Sequence, residues 1–254
     1  MTLKQAYEHC KSIAVNHYEN FPVVSLLVPK HMRRHLYAIY AFARVADDIA
    51  DEGSSTAECR LDNLEILRYS LRQANGTDPI MMALQATIRD CVLPLSLFDR
   101  LLDAFESDVM FVAPSNWDAV LAYCHNSANP VGELFLRLDY LNKDLPDAAI
   151  TASNSICTAL QITNLLQDIS IDLDRGRSYL PLPDNEVIQR TRLLYQEGWS
   201  VVGHARSWRL KLELVAIIIG GRAMLRLCTK RTDRMVRPTL TAWDVAVSLF
   251  SRQW

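Results

Sequence analysis

The sequence predicts an all-α protein folded as one domain over residues 1–254. Three observations lead there. Apolar residues recur at helical spacing in nearly every segment. Glycine is scarce, 8 in 254 residues, which argues against strand-and-turn architecture and against glycine-rich phosphate loops. Half of the residues are apolar and 22% are charged, a balance that supports one large core.

The periodicity places helices over residues 3–18, 30–52, 57–74, 79–91, 95–112, 116–138, 147–174, 184–196, 199–233 and 239–251. Punctuation supports the breaks. Gly53 follows an acidic cluster, NGTDP spans Asn75 to Pro79, Asn116 is placed to cap a helix and Gly176 to end one. The most apolar run, LVAIIIGG at Leu214–Gly221, falls short of the ~20 residues that span a bilayer. It reads as a core helix.

Net charge is −2, so no basic field predicts a nucleic acid partner. The six cysteines, at 10, 59, 91, 124, 157 and 228, form no CxxC. They read as small apolar side chains in a reducing compartment. The first residues, MTLKQAYEHCKSIAV, carry no secretory pattern. The expected location is the cytoplasm, at the inner membrane face where KHMRRH beside Pro29 meets the lipid surface. His31 and His35 in that stretch stand at i,i+4 spacing, but a basic surface turn explains them better than a zinc site.

Residues 37–53, YAIYAFARVADDIADEG, start as an apolar helix and end with four acids, Asp47, Asp48, Asp51 and Glu52. At roughly 100° per residue, Tyr40, Arg44, Asp47 and Asp51 fall within about 60° of each other. Asp48 sits at the edge of that stripe and Glu52 further round. Like charges at i,i+4 repel, and acids in a last turn oppose the helix dipole. A solvated helix end would tolerate this. The apolar lead-in instead suggests a stripe pointing into something.

Residues 159–181, ALQITNLLQDISIDLDRGRSYLP, repeat the oddity. On the same wheel Gln161, Asn164, Asp168 and Asp172 lie within about 80°, amid leucines and isoleucines. Such a stripe on a largely buried helix is costly unless it binds something. Carboxylates with a carboxamide suit Mg²⁺, which takes one or two carboxylates and completes its shell with water and phosphate oxygens. Arg44 and Arg177 would offer forked donors to phosphate. The combination points to a diphosphate held by Mg²⁺ in a helical bundle, with Tyr, Phe, Leu and Met walls suited to a hydrocarbon chain.

These stretches, together with YCHNSANPVGE at residues 123–133, resemble the squalene/phytoene synthase family, and the likeness runs from about His17 to Arg237. The resemblance implies a class I terpenoid synthase helical bundle, the isoprenoid-synthase fold, with two aspartate-rich motifs across a central cavity. It implies three Mg²⁺ ions with a prenyl diphosphate bound. The family's first DxxxD falls on Asp47 and Asp51, and its second on Asp168 and Asp172, preceded by Asn164 and Gln161. Its YxxxR falls on Tyr40 and Arg44, its YC segment on Tyr123, and the arginine after the second motif on Arg177. His17 and Phe21, in HYENFP, fall on a substrate-facing stretch near the start. Arg234 or Arg237 is the candidate to close over the diphosphate.

Two departures narrow the expectation. Phytoene and dehydrosqualene synthases usually carry Arg before the second motif's first Asp, and here Gln167 stands there. Asn129-Pro130 replaces a small pair before Val131-Gly132. NFP, ANPVG and LQD look most like the bacterial hydroxysqualene synthase branch of hopanoid pathways. That branch ionises presqualene diphosphate and traps the cation with water, and Asn129 would orient the water. The alternatives are a synthase condensing farnesyl or geranylgeranyl diphosphate to presqualene diphosphate, squalene, dehydrosqualene or phytoene, and a non-catalytic assembly-factor relative. DDIAD also matches the DDxxD of head-to-tail elongation, but DISID supplies no second copy. The resemblance brings no nicotinamide cofactor. Its partners are other enzymes of the hopanoid or squalene pathway.

Overall fold

The computed structural model describes residues 1–16, 27–73, 77–141, 143–241 and 243–245. His17 and Phe21 lie outside these residues, as does most of the helix expected over 239–251. Among the described residues every regular element is a helix: α1 (Leu3–Asn16), α2 (Lys30–Asp51), α3 (Ala57–Arg72), α4 (Pro79–Cys91), α5 (Leu95–Val109), α6 (Trp117–Ser127), α7 (Asn129–Tyr140), α8 (Asp147–Gln167), α9 (Ile169–Asp174), α10 (Asp184–Gly198), α11 (Val201–His204) and α12 (Trp208–Lys230). None is long and apolar enough to cross a membrane.

The helices gather in two compact units. The first comprises Met1–Met110, Leu134–Leu145 and Arg206–Leu210. In it α2 packs on α1, α3, α4 and α5. Phe42 of α2 meets Phe98 of α5 edge to face at 5.7 Å, the geometry that ring quadrupoles favour. His35 is buried, with Nδ1 at 3.0 Å from Thr87 Oγ1, which lies 3.0 Å from the Tyr7 hydroxyl. KHMRRH opens α2: Lys30, His31 and Arg34 are exposed, as a basic surface stretch should be, but Met32 and His35 turn inward because one helical face must enter the core. Arg33 Nε donates to the Val28 carbonyl at 3.0 Å. Arg68 clasps α3 to α5 through Asp99, Asp103 and Glu106.

The second unit comprises Phe111–Glu133, Pro146–Ala205 and Lys211–Trp254. Here α8 is central, packed by α6, α10 and α11. Tyr195 of α10 is buried with its hydroxyl 3.0 Å from Thr163 Oγ1. Two glycines permit close approach. A Cβ at Gly221 would run into the Tyr195 hydroxyl and Leu160, and one at Gly132 into Cys157 and Ser153.

Three expected helices are interrupted. The segment 116–138 breaks at Ala128, with φ −122° and ψ −43°. Pro130 has no N–H to continue the ladder, so it begins a new helix in the first turn of α7. The segment 199–233 opens between α11 and α12. There the Arg206 N–H donates to Asp139 Oδ2 at 2.6 Å, and Ser207 Oγ accepts from the Leu210 N–H at 3.1 Å. Those side-chain bonds compete with the helix ladder. The third break, at Asp168, lies inside the second acidic segment.

Candidate active site

The first acidic segment is the end of α2. Phe42, Ala46 and Ala50 face the core of the first unit, and Tyr40, Arg44, Asp47 and Asp51 lie on the half-buried opposite side. Arg44 organises the cluster. Its guanidinium reaches Asp47 Oδ2 at 3.0 Å, Asp48 Oδ1 at 2.6 Å and Glu52 Oε1 at 2.7 Å. Burial by itself would lower the Arg44 pKa, but Asp48, Asp47 and Glu52 together hold it above the ordinary value. Asp48, at the edge of the stripe, and Glu52, further round, both join this ion-pair cluster. The helix end has a second stabiliser that the sequence does not signal. Arg60 of α3 donates to the Ala50 carbonyl and, at 2.9 Å, to the Gly53 carbonyl. The Ala50 carbonyl is among those that a helix C-terminus leaves without partners, and the Gly53 carbonyl belongs to the turn that follows.

The second acidic segment straddles the α8–α9 break. Asn154, Cys157, Gln161, Asn164 and Asp168 recur every three or four residues and are half-buried, whereas Ile162, Leu165 and Leu166 are buried. Asp168 leaves helical geometry, with φ −99° and ψ 15°, in the bridge region where active-site residues are often found. The hydrogen bonds on either side keep helical register, Asp168 N to Asn164 O and Asp172 N to Asp168 O, both 2.9 Å. The break therefore re-aims Asp168 without sliding Asp172 round the axis. Beyond α9 the chain turns at Gly176, φ +75°, and the Arg177 N–H donates to the Asp172 carbonyl at 2.8 Å. The arginine after the motif is thereby pinned to the motif's last aspartate.

Asp168 carries a cation in this structure. Arg237 Nε lies 2.5 Å from its Oδ1. Gln167 Nε2 donates to the Pro238 carbonyl at 3.0 Å, and Arg231 Nη1 to the Leu166 carbonyl at 2.6 Å.

Tyr123 of α6 lies 5.0 Å from Tyr179, ring centre to ring centre, and Tyr179 lies 4.9 Å from Phe111. Tyr179 and Phe111 extend the aromatic wall expected of Tyr123. The only hint of Tyr179 in sequence is its place two residues after Arg177. Asn129 is 6% exposed, and its Oδ1 accepts from Thr158 Oγ1 at 3.0 Å.

The donor set fits Mg²⁺ in kind. Each segment offers hard oxygen donors, and in each a guanidinium already rests on a carboxylate, so both places call for positive charge. Among the described residues no group of three or more His, Cys, Asp or Glu is arranged to hold a metal alone. A cation here must complete its shell with water and ligand oxygens, as Mg²⁺ ordinarily does.

Comparison with known proteins places the whole chain. A hydroxysqualene synthase of Zymomonas mobilis is 36% identical over 176 residues, 68% of this chain and 58% of that protein. A phytoene synthase of Mycobacterium tuberculosis is 31% identical over 180 residues, 70% of this chain and 58% of that protein. The matched stretch thus spans little more than half the length of these relatives. The crystal structure of squalene synthase HpnC from Alicyclobacillus acidocaldarius superposes with a TM-score of 0.80 at 35% identity, covering 88% of this chain and 93% of that one. The helices are those of the isoprenoid-synthase fold. The squalene/phytoene synthase family model matches residues 14–186, both acidic segments included, and the chain belongs to that family.

Proposed function

We propose that this protein ionises presqualene diphosphate and lets water capture the rearranged cation, giving hydroxysqualene and diphosphate. The observation that carries the reading is the 36% identity to a hydroxysqualene synthase over 176 residues. Position 167 supports it. A neutral glutamine bonded to a backbone carbonyl suits an enzyme that handles one diphosphate rather than two.

In this reading Asp47, Asp51, Asn164, Asp168 and Asp172 are the Mg²⁺ ligands. When bound, Mg²⁺ supplies the charge that stabilises the leaving diphosphate. Arg44 and Arg177 add forked donors to the same phosphate oxygens, and Gln161 adds a neutral one. Tyr40 and Tyr123 present aromatic faces to the carbocation and keep stray water away. His17 and Phe21 serve the substrate from outside the described residues. Asn129 orients the attacking water, and the departing diphosphate takes its proton. The substrate is a membrane lipid, so the enzyme works at the cytoplasmic membrane face beside other hopanoid enzymes.

The second reading is condensation of two farnesyl or geranylgeranyl diphosphates, favoured by the 31% identity to a phytoene synthase. Turnover of presqualene diphosphate with Mg²⁺ in ¹⁸O-labelled water separates the two. Label in a C30 alcohol supports the proposal. An unlabelled polyene made from farnesyl or geranylgeranyl diphosphate defeats it.

A further inference from the structure

Three consecutive residues at the end of α8 each hold the segment that follows α12. The Leu166 carbonyl accepts from Arg231, Gln167 donates to the Pro238 carbonyl, and Asp168 accepts from Arg237. Arg231 is the deep anchor. Its side chain is only 8% exposed and also reaches Asp184 at 3.3 Å. Between Arg231 and Thr241 the segment has no helix or strand, and Met235 and Val236 are exposed. Side-chain bonds to residues 166–168 and ion pairs to Asp184 of α10 therefore fix its position. The outermost fastening is the one on the motif aspartate, where Arg237 stays 44% exposed while Asp168 is 15% exposed.

The geometry points to a strap that competes with a divalent cation: Arg237 is the resident counter-ion of Asp168, and Gln167 is a positioning residue that sets how firmly it stays there. The inference rests on the proposed role of Asp168 as a metal ligand. Two cations cannot hold the same place on one carboxylate oxygen. A carboxylate oxygen at 2.5 Å from a guanidinium nitrogen cannot also enter a cation's shell at about 2.1 Å along the same direction. A metal that takes Oδ1 of Asp168 from that side must displace Arg237, and one on Oδ2 meets its repulsion. Gln167 adds no charge. It keeps Pro238 beside the motif and so keeps Arg237 at high local concentration.

Binding of Mn²⁺ to the full chain, read by the free-ion electron paramagnetic resonance signal, tests this without turnover. Arg237→Gln should bind Mn²⁺ roughly fivefold more tightly, the ceiling for a half-exposed pair. Arg237→Lys should fall between this variant and the wild type. Arg234→Gln removes a charge from the same strap but from a partner, Asp184, that is not in the motif, and should change affinity less than twofold. Gln167→Ala alters no charge, so its expected two- to threefold tightening can arise only through the strap. Unchanged or weaker binding in both Arg237→Gln and Gln167→Ala, with Asp168→Asn clearly weakened, overturns the strap and leaves the metal role of Asp168 standing. Asp168→Asn indistinguishable from the wild type overturns both. Circular dichroism of each variant checks that the helices persist.

Discussion

Arg44 Nη2 lies 2.6 Å from Asp48 Oδ1, nearer than the 3.0 Å between Arg44 Nη1 and Asp47 Oδ2. The acid at the edge of the helical stripe thus has the shortest ion-pair distance, while Asp47 and Glu52 accept the Arg44 hydrogen bonds. Without metal, Arg44 is the main compensation for the acids at the end of α2. Arg44→Gln should destabilise the protein by about 1 kcal/mol, because the pairs are partly solvated. That lowers the melting temperature by about 3 °C. Mg²⁺ should then raise the melting temperature more in the variant than in the wild type, as the uncompensated acids gain a cation. An equal Mg²⁺ effect in both proteins would mean that the acids of α2 do not bind it.

His35 gives a stability that depends on pH with a definite sign. Arg34 Nε can only donate, so at 3.1 Å it makes His35 Nε2 an acceptor and leaves the proton on Nδ1, facing Thr87. Burial, helped by the Arg34 charge, pushes the His35 pKa down from 6.5 to about 4. The unfolded chain therefore takes up a proton near pH 6.5 that the folded chain refuses until about pH 4. Stability from this group is fully present above pH 6.5 and is lost as pH falls, by up to about 3 kcal/mol. Urea midpoints measured across that range should fall less steeply for His35→Gln than for the wild type. Parallel curves would assign the acid lability to other groups.

Tyr195 and Gly221 test the packing of the second unit. Thr163 Oγ1 donates its one proton to the Ala159 carbonyl at 2.7 Å, so Tyr195 is the donor in the Tyr195–Thr163 bond. Gly221→Ala would push a methyl group into that hydroxyl and into Leu160, costing about 1–3 kcal/mol. Tyr195→Phe loses one buried hydrogen bond, about 1 kcal/mol. The double variant should be more stable than the sum of the two losses allows, because removing the hydroxyl makes room for the methyl. Additive losses in chemical unfolding would show that Leu160 alone makes the clash.

The helical class, most helix starts and both acidic stripes are legible in the sequence because each follows from local periodicity and capping. Asn116 and Asp78 cap α6 and α4 through their own side chains. Pro130 also announces a break, but the apolar pattern on either side hides it. The departures at Asp168 and at Arg206 depend on partners distant in the chain. Arg237 is 69 positions from Asp168, and Asp139 is 67 from Arg206. No helical wheel carries that information. The same holds for Arg60 on the α2 carbonyls and Arg231 on Leu166, since an arginine in sequence does not say whose carbonyl it will meet.

Loss of a motif aspartate should separate chemistry from folding. Asp47 and Asp168 are half-buried, and neither sits among core side chains. Asp47→Ala and Asp168→Ala should each lower turnover of a prenyl diphosphate by about a thousandfold or more, the scale of lost charge stabilisation at a leaving group. Far-ultraviolet circular dichroism should stay unchanged. Asp174→Ala, at an exposed position outside the stripe, should keep turnover within about twofold. Comparable losses in all three would deny the two motif positions any special role.

Asn129 and Thr158 separate a water-orienting amide from a core polar pair. Thr158 holds the carboxamide oxygen of Asn129 at 3.0 Å, and both residues are buried. Thr158→Val keeps the volume near that of threonine and removes this donor, leaving a buried acceptor unpaired. It should cost about 1–2 kcal/mol. If Asn129 orients water, releasing its oxygen also lets the amide turn. Thr158→Val should then raise the fraction of elimination or rearranged products relative to alcohol, and Asn129→Gly should raise it further. Loss of stability at a constant product ratio in both variants would make Asn129 a core residue that bonds α7 to α8 and takes no part in the capture of water.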